Sequence, residues 1–343
     1  MKKLLNTLYI TSEKKYLSLD GGNVVIKEDN CEVGRMPLHN LDMIVSFSRL
    51  GASPALLGKC AELNISVVFL TPTGSYLARV EGKTKGNVLL RKRQYQISED
   101  VTRSVAIARN IVLGKVYNAR WVVERMKRDH GMQLDTERLE KVSSELKRSM
   151  KTIAECDNKD TLRGYEGKMA VLYFSVFDEM ILQNKNVFYF HERNRRPPLD
   201  NVNALLSFCY TLLTSMTAAA LETVGLDPCV GFMHGDRPGR YSLALDAMEE
   251  LRPALADRFV LRLINKKIVT EKDFVRKEDG AVLLTDEARK VVLAEWQKRK
   301  QVEIVHPYLN EKVQWGMVPY VQAMLLARHL RGDIDAYPPF FWK

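Results

Sequence analysis

Three segments of the chain combine acids, a histidine or arginines with glycines or prolines that fix the backbone, and any chemistry should lie there. In the first, Leu162-Arg163-Gly164-Tyr165-Glu166-Gly167, two glycines interrupt a good helix former on either side of Glu166. Each glycine costs a helix about 1 kcal/mol relative to alanine, so the spacing predicts that something approaches that face closely. The second segment places His234 in a glycine-rich loop, 231–240, ahead of a helix carrying Asp246 and Glu249 three residues apart and therefore on one face. Two carboxylates and an imidazole suit a divalent cation of the Mg²⁺ or Mn²⁺ kind, and the histidine tilts the preference toward manganese. The third, His191-Glu192-Arg193-Asn194-Arg195-Arg196-Pro197-Pro198, crowds three arginines onto a stiff turn, where their donor forks suit phosphate. Read singly, each segment has a plainer meaning: a helix crossing that needs small residues, a hydrogen-bonded loop histidine, and an interdomain turn.

These segments need elements to hold them. Up to about residue 82 the signals are mostly those of strands, at 7–10, 16–19, 24–27, 43–47 and 65–70, with Gly21-Gly22-Asn23 as a hairpin turn. Ser53-Pro54 opens a short helix as cap and first residue. Past a polar stretch at 81–87 the apolar period becomes helical, predicting helices at 98–129, 135–155, 160–183, 201–224, 240–250, 253–264 and 285–300, with a small hairpin around Gly280. The expected fold class is α+β: a small, mainly β domain at 1–82, a linker at 83–97 and a larger all-α catalytic domain at 98–343.

The 343 residues carry a formal charge of +10, and the excess is concentrated: residues 91–130 hold 10 basic and 4 acidic side chains. A polyanion would bind there, unless the stretch is simply a solvated helix face. The five cysteines are scattered and form no C-x-x-C pair, and the opening apolar run is too short for a secretory signal, so a reducing cytoplasm is expected. Residues 201–221 are uncharged, but their serines and threonines favour a buried core helix over a membrane span. No G-x-x-x-x-G-K-[ST], dinucleotide fingerprint or G-x-S-x-G is present, which leaves nucleotide hydrolysis and serine hydrolase chemistry without support.

Taken together, L-R-G-x-E-G at 162–167, R-x-R-R-P-P-x-D with N-A-L-L-S-F-x-Y at 193–210, and H-x-x-R-P-G-R-x-S-L-A-L-D-x-M-E-E-L-R-P at 234–253 strongly resemble one family. It is the CRISPR-associated integrase and endonuclease of spacer acquisition, CRISPR-associated protein one. The β-rich start and the closing residues 330–342 also look like that family, and the tail from Tyr337-Pro338-Pro339 looks like a type I branch.

The resemblance implies a β domain that mediates homodimer contacts and a helical domain with one metal site, its ligands falling on Glu166, His234 and Glu249 with Asp246 as a nearby second acid. Many relatives have aspartate at the position of Glu249, which leaves open whether Asp246 or Glu249 is the direct third ligand. The metal would polarise a phosphodiester and activate water or a DNA 3′-hydroxyl for in-line attack. Arg163, Arg237 and Arg240 would offset the developing charge, and Arg193, Arg195 and Arg196 would hold phosphates. The implied partners are duplex DNA with 3′ ends, the CRISPR repeat and the small ferredoxin-like second adaptation protein, with no membrane. Two rivals stand beside this reading: a non-catalytic DNA-binding scaffold and a metal-dependent nuclease acting on RNA.

Overall fold

Runs of β-branched residues too short for helices dictate the start of the chain. In the computed structural model, which describes residues 6–72, 74, 76–82 and 88–343, the order is β1 (Thr7–Ile10), β2 (Lys15–Asp20), β3 (Asn23–Glu28), β4 (Cys31–Pro37), β5 (Met43–Ser46), α1 (Pro54–Glu62), β6 (Ser66–Leu70) and β7 (Tyr76–Val80). β2, β3 and β4 make an antiparallel meander whose first turn holds Gly21 and Gly22 at positive φ. A second sheet runs β1-β5-β6-β7, with β1·β5 and β5·β6 parallel. β5 is buried along its length, as a parallel strand inside a sheet must be. Ser53 caps α1 by accepting from the Leu56 N–H at 3.2 Å. Leu17, Val24, Ile44, Leu56 and Val67 share one apolar core.

The rest is mainly helical: α2 (Val88–Glu99), α3 (Val101–His130), α4 (Thr136–Ala154), α5 (Lys159–Phe174), α6 (Asn201–Thr223), α7 (Ser242–Glu249), α8 (Arg258–Asn265), the short strands β8 (Phe274–Arg276) and β9 (Val282–Leu284), α9 (Asp286–Gln301), β10 (Glu303–Val305), β11 (Lys312–Gln314) and α10 (Val318–Arg331). The chain divides into two compact units, and α9 groups with β1–β7 and α1 rather than with the other helices. Lys300, buried on α9, donates to Thr7 Oγ1 of β1 at 2.8 Å.

The α+β expectation holds, with differences in detail. Of the expected linker, 83–87 lie outside the described residues and the remainder belongs to α2. That helix is mostly polar, which hid it, yet Leu90, Gln94 and Ile97 are buried. Gln94 donates to the carbonyls of Asp227 and Val230 at 2.8 and 2.9 Å. The expected helix at 160–183 ends at Phe174, and the one at 253–264 opens as a π-helical stretch, Arg252–Asp257, before α8. The uncharged α6 passes the length and hydropathy test for a membrane span, but 67% of that window is buried among the other helices.

The centre of the helical unit is the thirty-residue α3. A Cβ at Gly114 would stand 2.9 Å from both Cβ and Oε2 of Glu250, so glycine is what lets the end of α7 lie this close. One turn on, Asn118 donates to the carbonyls of Glu250 and Phe340 at 2.6 and 2.7 Å, and accepts from the Trp342 N–H at 2.9 Å. The Glu250 carboxylate accepts from Gln322 Nε2 at 2.9 Å, from the Phe340 N–H at 2.7 Å and from the Tyr337 hydroxyl. α3, α7, α10 and the C-terminal segment thus meet on one buried acid.

None of the hydrogen bonds to that acid comes from a charged group, and burial pushes Glu250 from its ordinary 4.5 up to about 7. The folded state then holds the proton more tightly than the unfolded state, so this group favours folding most below pH 4.5. Its contribution is lost as pH rises toward 7, by on the order of 3 kcal/mol. Urea unfolding across pH 4.5–7 should show this loss in the wild type and a flatter profile in Glu250→Gln. Equal slopes in the two proteins would show that Glu250 does not titrate this way.

Candidate metal centre

The loop ahead of α7 is organised by one carboxylate. Asp246 Oδ2 accepts from the N–H groups of Phe232 and Met233 at 2.7 and 2.9 Å, while Oδ1 accepts from the His234 N–H at 3.0 Å and lies 2.5 Å from His234 Nδ1. A Cβ at Gly231 would be 2.7 Å from Asp246 Oδ2, so only glycine lets the backbone wrap this tightly. Arg163 closes the other side, donating to the Met233 carbonyl at 3.0 and 2.5 Å. Ser104 Oγ on α3 donates to Phe232 O at 3.0 Å. The four acceptor positions of Asp246 are therefore filled from within the chain. The bond at Nδ1 fixes the imidazole of His234 and leaves Nε2 as its available nitrogen.

The other two acids meet elsewhere, on α3. Lys115 Nζ pairs with Glu166 Oε1 from α5 and lies 2.6 Å from Glu249 Oε2 at the end of α7. Arg252 pairs with the other Glu249 oxygen. Against the pull of burial, Arg252 and Lys115 hold Glu249 ionised, well below the usual carboxylate range. The two glutamates in turn outweigh burial and hold Lys115 protonated above its ordinary value. Glu249 Oε2 is buried, with the Lys115 ammonium 2.6 Å away.

Among the described residues, no three His, Cys, Asp or Glu side chains stand close enough to form a ready-made metal cluster. The expected trio is split, with Glu166 and Glu249 on the Lys115 ammonium and His234 on Asp246. The donors nonetheless suit a hard divalent cation. They supply two carboxylates already gathered around a positive charge and an imidazole held at its far nitrogen.

Beside this cluster lies a cavity of about 550 Å³, lined by Lys115, Glu166, Arg193, Arg195, Tyr210, Arg252 and Asp257 over an apolar floor that includes Met169 and Phe174. Arg252 and Arg193 lie over the Tyr210 ring, 4.2 and 5.3 Å from its centroid. The Tyr210 hydroxyl donates to Asp257 Oδ1 at 2.5 Å, and burial pushes that acid up to about 6.

The remaining expected residues separate into two groups. Arg163 is committed to the loop, and Arg193 donates to Asn203 Oδ1 at 2.6 Å and Ser207 Oγ at 3.1 Å, tying its turn to α6. Arg195, Arg196 and Arg237 are exposed, with Arg240 partly so. Several side chains of the basic stretch have partners within the chain, while Lys92 and Arg103 are exposed. Arg109 donates to Cys156 O, Lys127 pairs with Glu124, Arg128 pairs with Asp129, and Arg125 stacks on Trp342. Gly164 and Gly167 also differ from expectation: a Cβ at either would meet nothing within 4 Å. Among the described residues, nothing packs against α5 at these two positions.

Sequence reasoning missed Arg252, Tyr210, Asp257 and the special place of Lys115. A signal for Lys115 existed, since it is the lone charge in an otherwise uncharged run, 110–119, on a helix. Arg252 stood inside the quoted motif at 234–253 without a role of its own, and Asp257 had no signal, because the π-helical turn that aims them is not encoded by a 3.6-residue period.

A family model described as CRISPR associated protein Cas1 matches residues 8–298. A relative from Rhodospirillum rubrum, named CRISPR-associated endonuclease Cas1 2, is 52% identical over 347 residues, covering 100% of both chains. Among solved structures, a casposase bound to integration product matches with a TM-score of 0.85 and 21% identity over 99% of this chain and 95% of that one. A Cas6-RT-Cas1–Cas2 complex matches with a TM-score of 0.82 and 24% identity, over 98% of this chain and 36% of that one. At those identities the two structures speak for the fold, while the sequence matches settle the family: this chain belongs to the CRISPR-associated protein Cas1 family.

Proposed function

We propose that the chain is a divalent-metal-dependent DNA endonuclease and integrase that inserts short DNA into a CRISPR array, with Glu166, His234 and Glu249 as the ligands of Mg²⁺ or Mn²⁺. The observation that carries this reading is the gathering of Glu166 and Glu249, from two helices, around a single positive charge. Membership of the family and a full-length relative named an endonuclease support it.

Of the two acids on α7, Glu249 is the one with coordinating capacity, since every acceptor position of Asp246 is used. Asp246 acts through His234: it fixes the ring so that Nε2 is the nitrogen offered. Arg252, held over Tyr210, orients Glu249 through its second oxygen. Bound there, the cation would supply Lewis-acid polarisation of a phosphodiester and lower the pKa of an attacking hydroxyl or water. The cavity lined by Glu166, Arg195 and Tyr210 suits a nucleotide's phosphate and base.

The exposed Arg103, Arg195, Arg196 and Arg237, with the partly exposed Arg240, are placed to hold DNA phosphates. A homodimer through the β unit is supported by Tyr76 and Leu77, which are exposed on β7 at the edge of its sheet. Light scattering should give twice 39.3 kDa, and a monomer at micromolar concentration would contradict the dimer. The small ferredoxin-like second adaptation protein as partner, the CRISPR repeat as target and a cytoplasmic location complete the reading. The match to a Cas1–Cas2 complex agrees with that partner.

Duplex binding and Mn²⁺-dependent nicking, measured across a salt series, test the division of labour. His234→Ala should lower nicking and strand transfer by at least about a hundredfold while binding stays within a few fold. Arg195→Ala/Arg196→Ala should keep the metal site but flatten the log–log salt dependence by up to about 0.9 per contact removed. Wild-type nicking by His234→Ala would exclude this site as the catalytic one.

A further inference from the structure

A positive charge already occupies the place where the acids converge, and it belongs to the chain. We propose that Lys115 is the built-in counter-cation of this site: its ammonium holds Glu166 and Glu249 together in the metal-free protein, and a divalent cation must expel it in order to bind. This rests on the reading of Glu166, Glu249 and His234 as metal ligands.

Four observations carry it. The side chains of Lys115, Glu166 and Glu249 are 13%, 23% and 5% exposed, so two carboxylates sheltered from water would repel each other without the ammonium between them. The two cations on Glu249 differ in kind. Arg252 is braced over Tyr210 at 4.2 Å, whereas Lys115 is a point charge on a rotatable stem, 2.6 Å from Oε2. The backbone beneath Lys115 is fixed by the close approach of Gly114 to Glu250, so the charge can leave by side-chain rotation alone. Lys115 also lines the cavity of about 550 Å³, which gives the displaced side chain somewhere to go.

The consequence is a competition between ammonium and metal for the same oxygens. An uncharged side chain of similar length should leave the acids mutually repelling in chelator and should raise metal affinity, because nothing then has to be expelled.

The test uses the full chain, with Mn²⁺ affinity measured by the paramagnetic resonance signal of free Mn²⁺ and stability by thermal melting. Lys115→Met should bind Mn²⁺ roughly tenfold or more tightly than the wild type. It should melt lower than the wild type in EDTA, and Mn²⁺ should raise its midpoint by more. A second measurement needs no variant: brief acetylation of the wild type, mapped by mass spectrometry, should show Lys115 becoming more reactive at saturating Mg²⁺ relative to Lys127, which is paired with Glu124 and Glu140. If Lys115→Met does not fold, the acetylation result decides.

Equal or weaker Mn²⁺ affinity in Lys115→Met, or unchanged Lys115 reactivity at saturating metal, overturns the proposal. If that happens while the wild type binds Mn²⁺ and Glu166→Gln does not, the ligand assignment stands and only the counter-cation role falls. If neither wild type nor Lys115→Met binds a divalent cation, both fall.

Discussion

Two carboxylates from helices far apart in sequence are brought to one sheltered point, and the ammonium of Lys115 makes that arrangement tolerable. Like charges at such a distance in a poorly hydrated site repel by several kcal/mol at an effective dielectric near 20. Much of the helical unit serves to place this cluster. Gly114 lets the end of α7 come against α3, and Asn118 and Glu250 tie that junction to α10 and to the C-terminal segment. The residue after Glu249 is thus among the most firmly held in the unit. A ligand carboxylate gains from such support, because a fixed donor need not be ordered when the ion arrives.

A division between groups that hold and groups that are offered runs through the site. Asp246 spends both oxygens on three backbone N–H groups and one imidazole, so its negative charge acts on the loop and on His234. Glu249 makes no hydrogen bond to the backbone and is surrounded by cations instead. The same contrast separates Arg163 and Arg193, locked onto carbonyls and side chains, from the exposed Arg195, Arg196 and Arg237. Residue type alone does not distinguish these roles; the partners do.

That is also where reading the sequence stopped. Five of the seven strands β1–β7, the capped α1, most helix spans and the buried nature of α6 follow from period, capping residues and composition, whereas β4, β7, β10 and β11 were not foreseen. Glu166 and His234 were singled out by their glycine-rich surroundings, and Asp246 and Glu249 by sharing one helix face. Other features were not legible. α2 was hidden by its polarity, since its main task is to hold the 227–230 loop through Gln94 rather than to bury a wide apolar face. α9 joins the β unit through long-range packing that no local pattern records. The glycines around Glu166 predicted a close neighbour and meet none among the described residues, because a missing side chain serves an intramolecular contact and an empty surface equally well.

The most direct test of the account is the anomalous difference map of a crystal soaked in Mn²⁺. It should show one strong peak in the helical unit, bonded to a Glu166 oxygen, a Glu249 oxygen and His234 Nε2, with Asp246 still on His234 Nδ1 and Lys115 turned away from both glutamates. A peak coordinated by Asp246, or no peak while Lys115 stays between Glu166 and Glu249 at saturating metal, would contradict the assignment of this cluster as the metal centre.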